Sequence, residues 1–472
     1  MKKVDFVFSY EVKARELESV CMIKQELENR GYTTAVLNTW KALNERPLDV
    51  EAEVLVLSAC YRTRTLESFI CNVRNYHKVF NLQWEQIRSV ESEQADPDDE
   101  NSNYSVTGRA REAVHVSWGQ KNYDRLTKEC HVPERNVVLA GHPALDFLRP
   151  DLVSYYKSRE ELFREYQLPT DKKVCLFISS FAIIGRPESE VKVDQSFGEQ
   201  DSDKRLDVAL RSQTEIIHWF RRAMEQSDTV FIYRPHPTEV DNPELKALEA
   251  EFPNFRVIKE ESVKQWILTC DVIYNWNSTA LAEIFMCGKS CYMLRPVPLP
   301  DFFNSSIFAE SDSIRTEEEF LATLQDPNPA FPITEDKLRY YYYIPEDQYS
   351  YEIICDALER VYHDPSYRIN GAKQYYARDK VIRRFWDALA AGAIGAFADE
   401  KLPAAADRIP PVRKVRSKIR ARRAQWANPE ATLSDFAIER RKIYDASPQE
   451  IEEMCQRMRE LTKNRRENRG GI

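Results

Sequence analysis

Short apolar runs alternate with amphipathic helical stretches along the first three hundred residues, and this alternation constrains the fold more than any other feature. Each run has the length of a buried strand, and the stretches between several of them have helical periodicity. Such alternation predicts parallel sheets with helices on both faces. The predicted strands are Val4–Ser9, Thr34–Asn38, Val54–Ala59, Val79–Leu82, Ala113–Ser117, Val137–Ala140, Val174–Ser180, Thr229–Tyr233, Phe255–Ile258, Val272–Asn275 and Cys291–Leu294.

A charged stretch, Pro150–Thr170, separates these strands into two groups. We therefore predict two doubly wound α/β domains of Rossmann type that face each other across a cleft. Their predicted ranges are 1–150 and 151–330. A helical segment at 331–400 is expected to pack on them, and a basic helical tail at 401–472 to follow. Two such domains place a ligand cleft at the carboxyl ends of their strands.

Composition limits the cellular setting and the class of protein. Only 12 of 472 residues are glycine, which excludes collagen-like chains. The ten cysteines contain no CxxC pair, so we expect reduced thiols in a reducing compartment. The chain begins with a charged strand rather than a signal peptide, which predicts a cytoplasmic protein.

The segment Tyr233-Arg234-Pro235-His236-Pro237 follows an apolar strand directly. Prolines fix the backbone on both sides of the histidine and end the strand. Arg234 is a permanent forked cation, and His236 can donate to a phosphate, so both are candidate phosphate ligands. The alternative is a tight turn in which both side chains pair with structural carboxylates.

A second strand runs into Ser278 and Thr279, which precede an apolar helix carrying Glu283. Free N–H groups at a helix start and two hydroxyls favour an anion, and Glu283 could accept hydrogen bonds from sugar hydroxyls. The alternative is an ordinary helix cap. Arg295 ends a further strand and is a candidate for the phosphate or the sugar, with a structural salt bridge as the alternative.

Two acids of the first unit follow predicted strands and would face the second unit. Glu11 lies in the first strand-to-helix turn, and Glu85 lies in Asn81-Leu82-Gln83-Trp84-Glu85-Gln86. Either could deprotonate an acceptor hydroxyl as a general base. The alternative is a solvated acid with no catalytic task.

Several motifs of other classes are absent from the sequence. There is no GxGxxG, no GxxxxGK[ST] and no HExxH, which argues against dinucleotide oxidoreductases, P-loop NTPases and zinc proteases. We therefore expect no essential metal and no separate cofactor. Phosphate charge would be neutralised by Arg, His and the helix dipole.

The sequence resembles bacterial surface-carbohydrate biosynthesis proteins of capsule type, which are two-domain glycosyltransferases of the GT-B fold. The resemblance runs from Val4 to about Ile314. It is carried by the segments from Tyr233, Ser278 and Asn81 quoted above. Further segments carry it as well: Tyr10-Glu11 with Arg15-Glu16-Leu17, Ser117-Trp118-Gly119, Gly141-His142-Pro143-Ala144-Leu145-Asp146 and Lys264-Gln265-Trp266-Ile267. More distantly, the His-Pro and Ser-Thr pair is similar to motifs of capsular sialyl-, Kdo- and glycerophosphate transferases.

The resemblance implies a metal-independent glycosyltransferase that uses a nucleotide-activated sugar and a glycan or lipid-linked acceptor. In the relatives these motifs bind the phosphate of a cytidine nucleotide donor, which implies that role for His236, Ser278 and Thr279. The relatives often have a second Ser at the position of Thr279. A sugar-nucleotide epimerase, a glycerophosphate-type transferase and a non-catalytic assembly scaffold remain open.

The C-terminal tail is basic although the chain as a whole has a net charge of −9. Residues 411–426 contain a dense run of Lys and Arg with no acid, and Val412, Val415 and Ile419 share one helical face. This pattern fits a helix lying on an anionic membrane surface, with a solvated charged helix as the alternative. The acidic remainder of the chain argues against nucleic acid as a partner.

Overall fold

The computed structural model describes residues 2–38, 50–63, 65–66, 78–98, 105–186, 202–325, 330–369, 389, 397, 406, 408–427 and 444–469. Within these ranges it contains two parallel sheets. The strands of the first sheet are β1 (Lys2–Tyr10), β2 (Thr34–Asn38), β3 (Val50–Leu57), β4 (Lys78–Asn81), β5 (Val114–Ser117) and β6 (Val137–Leu139). Those of the second are β7 (Val174–Ile178), β8 (Val230–Arg234), β9 (Phe255–Val257), β10 (Val272–Asn275) and β11 (Ser290–Met293).

Both sheets are doubly wound. The first has the order β2-β1-β3-β4-β5-β6 and the second the order β11-β10-β7-β8-β9, with every pair parallel. The predicted fold class, two Rossmann-like α/β domains, is therefore confirmed. Each strand expected from an apolar run is present, with ends shifted by up to four residues. The exact domain boundaries stay predictions.

Helices cover both sheets and continue beyond them. They are α1 (Lys13–Asn29), α2 (Val90–Glu93), α3 (Gln120–Asp124), α4 (Pro143–Asp146), α5 (Arg159–Glu165), α6 (Ser202–Gln226), α7 (Pro243–Glu251), α8 (Val263–Thr269), α9 (Leu281–Met286), α10 (Glu317–Gln325), α11 (Glu335–Tyr341), α12 (Ser350–His363), α13 (Pro410–Ala427) and α14 (Pro448–Arg469). Much of the predicted helical segment at 331–400 lies outside the described residues.

The first strand and helix show how the sequence builds this layer. Phe6 and Phe8 belong to one hydrophobic cluster and Val4 and Val7 to another, so β1 is buried on both faces, as a central parallel strand must be. α1 buries an apolar face and ends before Gly31, whose φ of +95° suits the left-handed residue that commonly follows a helix.

The helices after the second sheet return to the first domain. α12 and α14 both pack against α1, and Cys355, Met458 and Leu461 enter the same buried cluster as Phe6. Tyr10 donates a hydrogen bond from its hydroxyl to Asp445 Oδ1 at 3.0 Å. The core of the first domain is thus built from residues more than four hundred positions apart.

Candidate active site between the two sheets

The order of each sheet marks where a ligand is expected. Strand order reverses between β1 and β3 in the first sheet and between β7 and β10 in the second. Ligands of open α/β sheets bind outside the carboxyl ends of strands at such switch points. α4 of the first domain packs against α9 of the second, so these two edges are joined directly.

Arg234, at the end of β8, holds a loop of its own domain. Its Nη1 donates to the carbonyl oxygen of Glu260 at 2.6 Å, and its Nη2 donates to that of Glu261. Burial lowers the pKa of Arg234 to about 10. At least two of its donors are therefore used to fix the segment before α8, and its predicted contact with phosphate stays a prediction.

His236 is half-buried and has a defined orientation. Its Nδ1 accepts a hydrogen bond from the backbone N–H of Thr238 at 3.2 Å and lies 2.9 Å from Thr238 Oγ1. Because Nδ1 accepts from an N–H group, the neutral ring carries its proton on Nε2. That tautomer suits a donor to phosphate.

Glu239 shapes the turn that carries His236, and the sequence analysis missed it. Its buried carboxylate accepts hydrogen bonds from His236 N at 3.0 Å, Ser179 Oγ at 2.5 Å and Tyr233 Oη at 2.8 Å. Burial raises the pKa of Glu239, and these donors oppose that rise. The only sequence signal was an acid three residues after the histidine, which is too common a spacing to single out.

Ser278 and Thr279 lie in a turn rather than in a long helix. Ser278 N donates to Asn275 Oδ1 at 2.8 Å, and Ser278 Oγ accepts from Ala280 N at 3.3 Å. α9 begins only at Leu281 and is six residues long, so the expected dipole contribution is small. The capping alternative is seen in part, because Ser278 Oγ satisfies the N–H of Ala280, whereas Ala280 itself is the N-cap and supplies no side-chain bond. Thr279 is exposed.

Glu283 is a half-buried carboxylate at the domain junction. Its carboxylate accepts a hydrogen bond from its own backbone N–H and forms no ion pair with the part of the chain that the structure describes. Burial raises the pKa of Glu283, and the charge of Lys264 opposes that rise. An acceptor with spare capacity in this position is suited to hydroxyl groups of a ligand.

Arg295 is the most unusual cation at these strand ends. It is 6% exposed, its Nη2 donates to Asn277 Oδ1 at 3.2 Å, and its Nε has no hydrogen-bond partner among the described residues. The described residues also offer it no carboxylate within ion-pair distance. The expected salt-bridge alternative is therefore absent from these ranges. Burial and then the charge of Arg315 lower the pKa of Arg295 to about 9.

In the first domain, Arg15 gathers the acids at the start of α1. Its guanidinium contacts Glu16 at 2.7 Å and Glu85 at 2.5 Å. Glu16 in turn accepts from the backbone N–H of Glu11 at 2.7 Å, which fixes the turn after β1. Glu85 is thus held by an ion pair, and Glu11 is half-buried in that turn. The role of either as a base stays a prediction.

His142, after β6, lies in an aromatic stack. Its ring is 4.0 Å from that of Trp118 and 6.4 Å from that of Tyr342, both at shallow angles. Its Nδ1 accepts from Ala144 N at 3.1 Å. Burial, then the charges of Lys264 and Arg15, lower the pKa of His142 to about 3, so the ring is neutral near pH 7.

Two sets of contacts join the domains around this site. Lys264 of α8 forms a buried ion pair with Glu18 of α1 at 2.9 Å. Ser306 N donates to the carbonyl oxygen of Arg88 at 2.7 Å, and Val90 N donates to that of Asn304 at 2.9 Å. The two strand-end faces therefore have a fixed relation in this structure.

Metal-binding clusters and membrane-spanning helices are both missing from the described ranges. No group of three or more His, Cys, Asp or Glu residues in those ranges is arranged to hold a metal ion. None of the helices described there combines the length and apolarity that crossing a bilayer requires. In α13, Ile419 is 1% exposed and Val415 is 40% exposed, so only part of the predicted apolar face is available to a membrane.

No family model matches the chain, and no curated protein does. Solved structures are similar to it at low identity and with TM-scores below 0.5. A UDP-GlcNAc 2-epimerase from Methanocaldococcus jannaschii is 11% identical, with a TM-score of 0.43, over 75% of this chain and 98% of that one. A glycosyltransferase from Rickettsia africae is 7% identical, with a TM-score of 0.39, over 82% and 99%. The wall teichoic acid polymerase TagF is 14% identical, with a TM-score of 0.41, over 82% and 90%.

The identities and the TM-scores of these matches are low. They therefore do not identify the activity of this chain.

Proposed function

We propose that this protein is a glycosyltransferase of GT-B architecture that moves a sugar from a nucleotide-activated donor to an acceptor in capsule or lipopolysaccharide biosynthesis. The observation that carries the proposal is Arg295, a buried cation with an unpartnered Nε and no carboxylate partner in the described ranges. A buried charge of this kind is costly unless something neutralises it. The phosphate of a nucleotide would do so.

Other groups at the strand ends of the second domain fit the rest of such a donor. The ring tautomer of His236, after β8, provides an N–H donor, and Ser278 and Thr279 provide hydroxyls after β10, on the other side of β7. Glu283 offers an open acceptor for sugar hydroxyls. Donors arranged in advance around a leaving phosphate stabilise the charge that develops on it during transfer. In this proposal that task belongs to Arg295 and His236 and needs no metal.

The first domain supplies the other half of the reaction. Glu11 or Glu85 would take the proton of the acceptor hydroxyl, with Arg15 positioning Glu85 through their ion pair. Closure of the two domains would exclude water and favour transfer over hydrolysis. Replacing each acid by Gln in a transfer assay identifies the base, which is the one whose loss reduces the rate without weakening donor binding.

The donor site is tested by thermal shift with CMP, CDP, UDP, GDP and dTDP at millimolar concentration. A nucleotide at about 100 times its dissociation constant adds about 2.7 kcal/mol of stability. We expect one nucleotide class to stabilise the wild type and His236→Ala to lose that response. His363→Ala, at an exposed histidine at the end of α12, is the matched control and should keep it.

The same experiment can overturn the proposal. If no nucleotide stabilises the wild type, an assembly scaffold becomes the better explanation. If a nucleotide binds, incubation with its sugar conjugate alone separates the remaining activities. An epimerase converts the donor without an acceptor, whereas a transferase of sugar or of glycerophosphate needs one.

We also propose that α13 contacts the anionic inner face of the plasma membrane. Its exposed Arg413 and Lys414 and the exposed Val415 support this assignment, whereas the burial of Ile419 limits how deeply the helix could insert. The contact would then be mainly electrostatic. Sedimentation with phosphatidylglycerol vesicles that salt reverses would support it, and equal binding to neutral vesicles would contradict it.

A further inference from the structure

Arg88, like Arg295, is a buried cation, and none of the contacts described above neutralises its charge. It follows β4 in the first domain and is 3% exposed. Its Nε and Nη2 have no hydrogen-bond partner among the described residues, and no carboxylate of those residues lies within ion-pair distance. Most buried polar groups of proteins are hydrogen-bonded, so an unpartnered guanidinium requires a specific explanation.

The carboxylate that attracts Arg88 most strongly is already engaged. Glu93 acts on Arg88 electrostatically, but its Oε1 accepts from Ser306 Oγ at 3.1 Å and its Oε2 lies 3.4 Å from Lys121 Nζ. Glu129 attracts Arg88 less and is itself exposed to solvent. Neither acid satisfies the free nitrogens of Arg88.

Arg125 and Asn122 are two further buried polar side chains of this region. Arg125 is also buried and close enough for its charge to act on Arg88. Arg125 Nη2 donates to Asn122 Oδ1 at 2.7 Å, which turns the amide so that Asn122 Nδ2 is left buried without a partner among the described residues. A guanidinium can only donate, so this orientation of the amide is fixed.

Two guanidinium groups in one buried region repel each other. Burial, then the charge of Arg125, lower the pKa of Arg88. Replacing such a group by an apolar one often stabilises a protein, whereas an oxyanion beside Arg88 would satisfy its unpartnered Nε and Nη2 at once. The arrangement is therefore costly for the fold alone and suited to an anion.

We propose that Arg88, Arg125 and Asn122 form a second anion site, in the first domain, that binds a phosphate or carboxylate group. The site adjoins the domain junction, because the carbonyl oxygen of Arg88 accepts from Ser306 N of the second domain. If the proposed transferase function holds, the occupant is the charged group of the acceptor. The binding site itself does not depend on that function.

The test compares the wild type with Arg88→Met in thermal shift and in calorimetric titration with inorganic phosphate, at constant ionic strength. We expect Arg88→Met to be as stable as the wild type or more stable in phosphate-free buffer. We expect its affinity for phosphate to fall at least tenfold. Lys128→Met removes an exposed positive charge from the same region and should leave phosphate binding unchanged.

A structural role for Arg88 gives the opposite pattern. Loss of stability in Arg88→Met, with the phosphate response unchanged, would overturn the proposal, as would the absence of any phosphate binding by the wild type. If Arg88→Met does not fold, Arg88→Lys keeps the charge and loses the forked donors, and its phosphate affinity should still fall. Titration with acetate in parallel shows whether the site prefers phosphate or carboxylate.

The donor site of the second domain has to be separated from this one. The phosphate titration is therefore repeated with His236→Ala and Arg295→Met. Phosphate binding that persists in these variants and disappears in Arg88→Met supports the second site, whatever the outcome of the nucleotide screen. Phosphate binding that depends on His236 or Arg295 and not on Arg88 overturns it.

Discussion

The two domains present different chemistry at their facing strand ends. The second domain offers donors, including Arg295 with no carboxylate partner in the described ranges and the exposed hydroxyl of Thr279. The first domain offers an aromatic stack around neutral His142, and the charge of Arg15 there is neutralised by two glutamates. The difference teaches that one fold can carry an anion-binding edge and an apolar, charge-balanced edge. Arg88 is the exception on the first side.

The largest expected change in stability comes from the packing of the chain after α11 on the strand-end face of the first domain. Gly141 has φ +83°, and a Cβ there would lie 2.4 Å from Tyr343 O and 2.6 Å from Ser350 Oγ. We expect Gly141→Ala to destabilise the protein by about 2–5 kcal/mol, from the left-handed backbone and from overpacking. Denaturant unfolding measures this free energy.

Gly31→Ala is the matched control for that change. Gly31 has φ +95°, but a Cβ added there would meet nothing within 4 Å among the described residues. Only the backbone cost of about 1–2 kcal/mol should therefore apply. If the two Gly→Ala variants lose the same free energy of unfolding, the segment after α11 does not pack tightly against the strand-end face of the first domain.

The next largest expected change is in nucleotide binding and comes from removing the positive charge of Arg295 in the second domain. We expect Arg295→Met to weaken nucleotide binding by about 10–150-fold, because a hydrogen bond to a charged group contributes about 1.5–3 kcal/mol. Stability without nucleotide should be unchanged or higher, since an uncompensated buried cation is removed. Arg256→Met, at a more exposed arginine of the same domain, should leave nucleotide binding unchanged. Unaltered nucleotide affinity in Arg295→Met would contradict the assignment.

The smallest expected change concerns the pH dependence of stability that arises because His142 is neutral in the folded protein. The sign of this pH dependence follows from the linkage between proton binding and folding. The folded pKa is about 3 and the unfolded pKa about 6.5, so the unfolded chain binds more protons between these values. His142 therefore disfavours folding increasingly as the pH falls below 6.5. His142→Asn keeps a cap for α4 and does not titrate. Its stability relative to the wild type should rise by about 1.4 kcal/mol from pH 7.5 to pH 5.5.

Urea midpoints of the two proteins at the two pH values measure that difference and cancel the other titrating groups. A pH-independent difference would mean that His142 takes up its proton in the folded protein, and the contrast between the two faces would be lost.

The sequence predicted the sheets because burial on both faces requires apolar runs, and such runs are visible locally in β1 and β10. It also placed His236, Ser278 and Arg295 at strand ends. The sequence did not reveal the contacts that determine what these residues can bind. Arg234 binds carbonyl groups 26 and 27 residues away, and the stack of Tyr342 on Trp118 joins positions more than two hundred residues apart. The periodicity of apolar residues cannot predict contacts between positions so far apart in the sequence.

The return of α14 to α1 affects the order in which the chain can be assembled during synthesis. The strands of the second sheet all lie between Val174 and Met293, so that sheet can pair well before the chain is complete. Met458 and Leu461 complete the first domain's core, and Arg465 bonds Glu352 at 2.6 Å. The first domain can therefore complete this core only after α14 has been synthesised, although its strands leave the ribosome before those of the second sheet, and the apolar surface that α14 covers stays exposed until then.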